Sequence, residues 1–276
     1  MLRIRWIIGC GILFLIPCAV QATIRHVPSG YSTVQAAIVS STDGDTVLVD
    51  HGTYVENIDF LGKRIVVVSL LAVTGDTSHI ALTVLDGGGS GVNKSVVTFQ
   101  GSEDSTSVLR GFRITNGYAS GSHGGGVTIS NGSNPRLEDC QIVNNTGASG
   151  PMNGIGIYCT GSSPTISRCL VANNSAPANG NYDHNGGGVC VTLSSAPVIS
   201  NCSIVNNSIA ASVYYRNNGG GVYCYGASPI FRNCTIADNS ADFGGGICVV
   251  SANVQVHSCS FSENTVRGNA AAHWAR

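Results

Sequence analysis

The second half of the chain repeats, and no other feature limits the possible folds as strongly. Five segments align on a cysteine: NPRLEDCQIVNN, SPTISRCLVANN, APVISNCSIVNN, SPIFRNCTIADN and NVQVHSCSFSEN. In each, the Cys (140, 169, 202, 234, 259) is followed five positions later by an Asn (145, 174, 207, 239, 264). Pro135, Pro164, Pro197 and Pro229 sit five before the first four cysteines, and Val254 takes that place in the fifth. A glycine-rich opening precedes every unit: GGGV at 124, GIGI at 154, GGGV at 186 and 219, and GGGI at 244. Upstream, SVLRGFRITN reads as the same unit with Gly111 in the Cys slot and Asn116 in the Asn slot.

Successive cysteines are 29, 33, 32 and 25 residues apart, so a fixed core alternates with one variable segment. Within a unit, Ile230, Arg232, Cys234 and Ile236 mark a period of two, which is that of short strands and not of helical turns. Pro and Gly between these runs exclude long elements of either kind. A unit of this size cannot bury its apolar side alone. Stacked units can, which predicts a solenoid of parallel strands with equivalent residues about 4.8 Å apart.

These units resemble the right-handed parallel β-helix repeat proteins of the pectin-lyase-like group, over essentially all of the chain after its first residues. The stretch from Tyr31 to Ser69, with GDTVLV and GTYVEN, resembles the group's N-terminal module, a short capping helix followed by the first coil. Ser32 or Thr33 can cap a helix whose Val34, Ala37 and Ile38 form one apolar stripe, and such a helix would cover the first strand edges. TVLDGGGSGVNKSVVTFQGSEDSTSVLRGFRITNG is similar to stretches of large exported bacterial proteins of the group. The resemblance implies an all-β, right-handed parallel β-helix with a short N-terminal capping helix, spanning residues 23–276. After Asn264 another glycine turn and coil are due, so truncation at the C-terminus is expected, with further coils or an attachment module beyond TVRGNAAAHWAR.

The first 22 residues have two arginines, an apolar run and Val20-Gln21-Ala22, the plan of a secretory leader, and predict export to the cell surface or medium. No other segment is long and apolar enough to span a bilayer. Charged residues are 11% of the chain, against about 25% in ordinary domains, and the net charge is −1 with no basic run. That argues against nucleic acid as the partner.

Eleven cysteines are present, two in the leader, and none has the spacing of a zinc site. The five slot cysteines and Cys159, Cys190, Cys224 and Cys248 read as small inward side chains in ladders. The glycine triplets lack the Lys-Ser/Thr that follows a phosphate loop and read as tight turns with positive φ. The slot asparagines suit an internal amide ladder. Sequons such as Asn144-Asn145-Thr146 recur because the repeat recurs.

The resemblance implies that an enzyme of this group would carry clustered Asp, with Arg, Lys or Ca²⁺, on one outer face. The repeat offers Glu138, Asp139, Asp183, Asp238, Asp242 and Glu263. Asp238 and Glu263 share the position of Asn144, Asn173 and Asn206 and read as solvent-facing variants. The opening module also resembles that of pectin methylesterases, but the Gln-Asp and Arg-Pro-Trp motifs that carry catalysis there are missing, which disfavours that activity. No acid/base pair can be assembled.

The variable segments TGASGPMN, SAPANGNYDHN, SIAASVYYRNN and SADF leave successive coils at the same corner and should bunch on one side. They predict a substrate-binding group of Tyr182, Asp183, His184, Tyr214, Tyr215 and Arg216, with Tyr118, His123 and Phe243 at its margins. Tyrosine faces beside polar groups suit sugar rings; insertions without a ligand are the alternative. The expected function is a monomeric, exported solenoid presenting a glycan- or partner-binding loop face, without cofactor or metal. Two rivals stand beside it. One is a lyase or hydrolase of acidic polysaccharide, for which Ca²⁺ is a candidate cofactor. The other is a passive adhesin-type spacer.

Overall fold

The computed structural model describes residues 21–89, 94–119, 124–147, 152–177, 182–210 and 216–267. Its strands stack as a right-handed parallel β-helix, and one coil illustrates the rest. After Gly186–Gly188 the chain runs through Val189–Thr192, Val198–Ser200, Ser203–Val205 and Ser208–Ile209, and returns through Asn217–Asn218 to Gly219. Each strand pairs in parallel with its counterpart one coil on: Val189 with Val222, Val198 with Ile230, Ser203 with Thr235. The result, in the order of a coil, is a first sheet of seven strands, a second of nine, a third of eight and two short ones of six and three. The first three enclose the main core, in which Phe60 and Phe99 stack with ring centroids 4.3 Å apart. A smaller core of Met152, Ile155, Ile209 and alanines lies under the two short sheets.

The second and third sheets meet at a corner of one left-handed residue, Asp139, Arg168, Asn201, Asn233 or Ser258, with φ between 51° and 54°. That corner shifts the phase of the alternation, so the expected pattern needs correction. Phe231 faces the core and Ile230 and Arg232 face outward; beyond Asn233, Cys234 and Ile236 face inward. The upstream unit shifts likewise. Arg113 pairs with Gln141, so Phe112 occupies the Cys slot and Gly117 the Asn slot, one residue later than the sequence suggests. Gly111 and Asn116 are the left-handed corners, equivalent to Asp139 and Asn144.

The slot asparagines form the expected ladder. Asn145, Asn174, Asn207 and Asn239 have no solvent exposure. Nδ2 of each donates to Oδ1 of the next, at 2.9, 2.9, 3.0 and 3.0 Å up to Asn264. The backbone N–H of each donates to the same oxygen, and Nδ2 makes a second bond to a carbonyl of the coil below, such as Val171 O from Asn207 at 2.9 Å. Both amide hydrogens and both lone pairs of an inner rung are thereby used.

The glycine triplets do more than turn the chain. In the one at 219, Gly219 is left-handed, at φ +68°. A Cβ on Gly220 would lie 2.5 Å from the Ser240 backbone, and one on Gly221 2.9 Å from Asn239 Nδ2. The second and third glycines are therefore contact surfaces, where the first sheet closes on the amide ladder.

The helix Val34–Ser40 covers the first coil, as expected, with Val34, Ala37 and Ile38 buried beneath it. Thr33 Oγ1 caps it by accepting from Ala36 N at 3.1 Å. Glu56, from the GTYVEN strand, accepts the backbone N–H groups of Val34 and Gln35 at 2.8 and 2.9 Å. Lys63 Nζ closes the other end by donating to Ile38 O, Val39 O and Ser41 O at 2.6–2.8 Å. Asp45 ties the first strand to the second through Thr23 N, Thr42 N and Arg25. Its pKa is drawn down to about 2, first by the Thr42 amide, against burial, and then by Thr23 and Arg25.

Two stability tests follow from this geometry. Asn207→Leu strands the amide groups of the rungs on both sides and should cost about 3 kcal/mol, against about 1 kcal/mol for Asn264→Ala at the last rung, both read from urea unfolding. Asp45 ionises more readily folded than the about 3.9 of an unfolded Asp. Its stabilisation is complete above about pH 5 and fades as pH falls through 4 toward 2. The urea midpoints of wild type and Asp45→Asn should therefore differ at neutral pH and converge at acid pH.

Candidate functional site

On the outer side of the first sheet runs a column of side chains, Asp59, Thr98, Thr128, Tyr158, Cys190, Tyr223 and Cys248, one per coil, of which Thr128 and Cys190 are buried. At its N-terminal end lies a groove of about 280 Å³ lined by Asn57, Asp59, Lys94, Ser95, Thr98 and Gln100, among others. Asp59 accepts from Gln100 Nε2 at 2.9 Å and from Leu61 N at 2.8 Å. The floor is braced by Ser95 Oγ, which donates to Gly124 O and lies 2.6 Å from Thr128 Oγ1, itself an acceptor from Gly124 N.

Toward the other end the face becomes aromatic. Tyr158 and Tyr223 are half-buried and Tyr225 is 48% exposed. Burial, reinforced by the neighbouring Cys190, Cys248, Tyr225 and Asp183, pushes the Tyr223 hydroxyl up to about 12. It stays a neutral donor at any ordinary pH. One flank of the face is a second amide ladder, in which Asn185 Nδ2 donates to Asn153 Oδ1 and Asn218 Nδ2 to Asn185 Oδ1, both at 3.0 Å. Its sequence signal is plain once known: an Asn directly before the glycine turns at 154, 186 and 219.

Of the six predicted binding residues, Tyr182, Asp183 and Arg216 lie at the surface. Asp183 Oδ1 accepts the backbone N–H of Arg216 at 2.7 Å, joining two successive loops. His184 does not belong with them. It is 3% exposed, because it shares a two-residue strand with Asn185 and, in register with Met152 and Asn217, takes the inward position. Tyr214, Tyr215 and His123 lie outside the described residues. Phe243 is at the margin, bridged to Asn218 one coil back. Tyr118 stands two coils below the Ser175–Ala176 strand that leads into the Tyr182 loop, about 10 Å along the axis.

The family described as right handed beta helix region matches residues 76–216 and 182–273. The chain belongs to the right-handed β-helix family. No curated protein matches it in sequence. Among solved structures, the pectin methylesterase of Aspergillus niger is 16% identical over 87% of this chain and 85% of its own, with a TM-score of 0.44. A pectin methylesterase in complex with a hexasaccharide is 12% identical, covering 90% and 91%, with a TM-score of 0.46. That of Erwinia chrysanthemi is 10% identical over the same shares, with a TM-score of 0.45. These are likenesses of fold.

The carboxylates of this β-helix are mostly committed elsewhere. Asp139 accepts from Arg110 and Arg168 at 2.7 and 2.6 Å, and Glu138 pairs with Arg168 and Arg136. Partial burial opposes ionisation of Asp139, yet the two guanidiniums hold its carboxyl below the usual range. Asp242 is 2% exposed, while Asp238 and Glu263 stand at left-handed corners in solvent, as expected. Among the described residues no cluster of three or more His, Cys, Asp or Glu could hold a metal.

All nine cysteines from Cys140 onward are free thiols. The slot cysteines stack inward, each donating to the carbonyl two residues before it, as Cys202 does to Ser200 O at 3.2 Å. The other four split between two faces, against the expectation of four inward side chains. Cys159 and Cys224 point into the core, while Cys190 and Cys248 alternate with Tyr158 and Tyr223 on the outer column. Burial pushes Cys159 and Cys224 up to about 12, which makes them poor nucleophiles. Among the described residues, only Cys248 and Cys259 are partly exposed cysteines. A thiol-specific chromogenic reagent should therefore label these two in the native protein and the remaining seven only after unfolding.

Proposed function

We propose that this chain is an exported or cell-surface β-helix that binds a polysaccharide along the outer face of its first sheet. The observation that carries the reading is the stacking of Tyr158 and Tyr223 along the axis, two coils apart and in the row of Asp59 at the polar groove, with Tyr225 beside Tyr223 on the same strand. Extended sugar chains present alternating apolar ring faces and hydroxyls, which tyrosines and amides complement. Asp183, bonded to the Arg216 backbone, lies close enough to Tyr223 for its charge to act on that hydroxyl, which supports including these two residues in the binding face. The leader at the N-terminus supports export, and no described helix is long and apolar enough to cross a membrane.

The reading is tested by affinity electrophoresis of the full chain in gels of acidic and neutral polysaccharides. Retardation is expected in at least one, weakened about tenfold by Tyr158→Ala with Tyr225→Ala, for a loss of about 1.4 kcal/mol. Loss of retardation in Tyr214→Ala/Tyr215→Ala alone would move the site onto the loops. No retardation of the intact protein in any gel would leave the passive spacer.

A second reading, an enzyme acting on acidic polysaccharide, is favoured by the placing of Asp59 and Lys94 in the same groove. Product release from a uronate polymer, with or without Ca²⁺, that Asp59→Asn abolishes would replace the binding reading.

A further inference from the structure

One excursion from the solenoid brings together two imidazoles that the binding face does not use. In the later coils a short corner joins the second sheet to the third. Here the chain leaves after Ser69, forms the short helices Leu71–Thr74 and Ser78–Leu82, and re-enters at Thr83. His79, on the second helix, lies against His51, which occupies the corresponding corner of the preceding coil, between Val49 and Gly52. His51 Nε2 is 2.5 Å from His79 Nδ1, with ring centroids 4.7 Å apart and planes tilted by 37°. His51 is exposed and His79 half-buried.

Two ring nitrogens at that separation can share a single proton, so one must offer its lone pair. Neutral imidazole lone pairs converging from two different segments are also the commonest ligands of first-row divalent metals. Two zinc–nitrogen bonds of about 2.0–2.1 Å at a tetrahedral angle span about 3.3 Å. The rings would therefore have to part by less than an ångström, which a surface side chain allows. Charge favours the exchange. The Asp76 carboxylate, fixed by Ser78 N at 2.8 Å, lies close enough to His79 for their charges to interact, and Asp50 precedes His51. No third described His, Cys, Asp or Glu completes the set, so water would fill the remaining positions.

We propose that His51 and His79 form a surface site for a divalent transition cation such as Zn²⁺ or Ni²⁺, which clamps the excursion to the first coil. Binding moves the shared proton, through solvent, to the other nitrogen of the ring that carried it, displaces two metal-bound waters and leaves an open, exchangeable coordination sphere.

The full chain, freed of metal with a chelator, is titrated calorimetrically with zinc and nickel chloride at slightly alkaline pH. One ion per chain is expected. His79→Ala and His51→Gln should each weaken binding by at least about tenfold, since even the partners behind a metal ligand are worth about 10–100-fold. Amide exchange in Leu71–Leu82 should slow on adding zinc to the wild type and stay unchanged in both variants, whose circular dichroism verifies the fold. Absence of binding to the intact protein overturns the site. So does binding of equal strength in both variants, which would assign the ion to the thiols or elsewhere.

Discussion

A column of side-chain amides that no water reaches holds the coils in register. Each inner asparagine is bonded to the rung above and the coil below, so its removal strands groups on neighbouring coils as well as its own. In a solenoid, where most contacts run between adjacent units, such a column is what makes local coils cooperative. The glycines opposite follow from it. The first sheet can close on the ladder only where Gly188 or Gly221 presents no side chain.

The N-terminal end meets a different constraint. A stack of parallel strands exposes its hydrogen-bonding edge at each end, and the helix Val34–Ser40 covers the first one. It is held by ionic groups taken from the coil it covers, Glu56 at one end and Lys63 at the other. Lid and coil thus specify each other. Sparse charge elsewhere is consistent with a surface built from Ser, Thr and Asn, with the few ion pairs gathered at the first coils and around Asp139.

Much of this was legible in the sequence, and the misreadings have particular causes. Fixed Cys–Asn spacing revealed the coil and the ladder because a buried, fully bonded amide tolerates no other residue. The upstream unit was read one residue early because a left-handed corner accepts Gly111 or Asn116 as readily as the residues that align beside it. Inward and outward positions were misassigned around Asn233 because a one-residue corner breaks the period of two. His184 was placed on the surface because a strand of two residues carries no periodicity. The ion pairs around Asp139 were within reach, since Arg168 aligns directly over it in the repeat. In the outer column, Tyr158 and Tyr223 directly follow the aligned glycine openings and were equally within reach; Asp59 was not, because its coil has no such opening.

The unit at Phe112 and Gly117 carries a further implication. A chain of like rungs can in principle stack one coil out of step, since every cysteine and asparagine would find another of its kind. Phe112 cannot take a place shaped for a thiol, and Gly117 offers the ladder an N–H without an amide of its own. The first rung therefore differs from all that follow. It gives the stack an origin from which coils can be counted, and a slipped alignment would leave a phenyl ring without room and an amide without its partner.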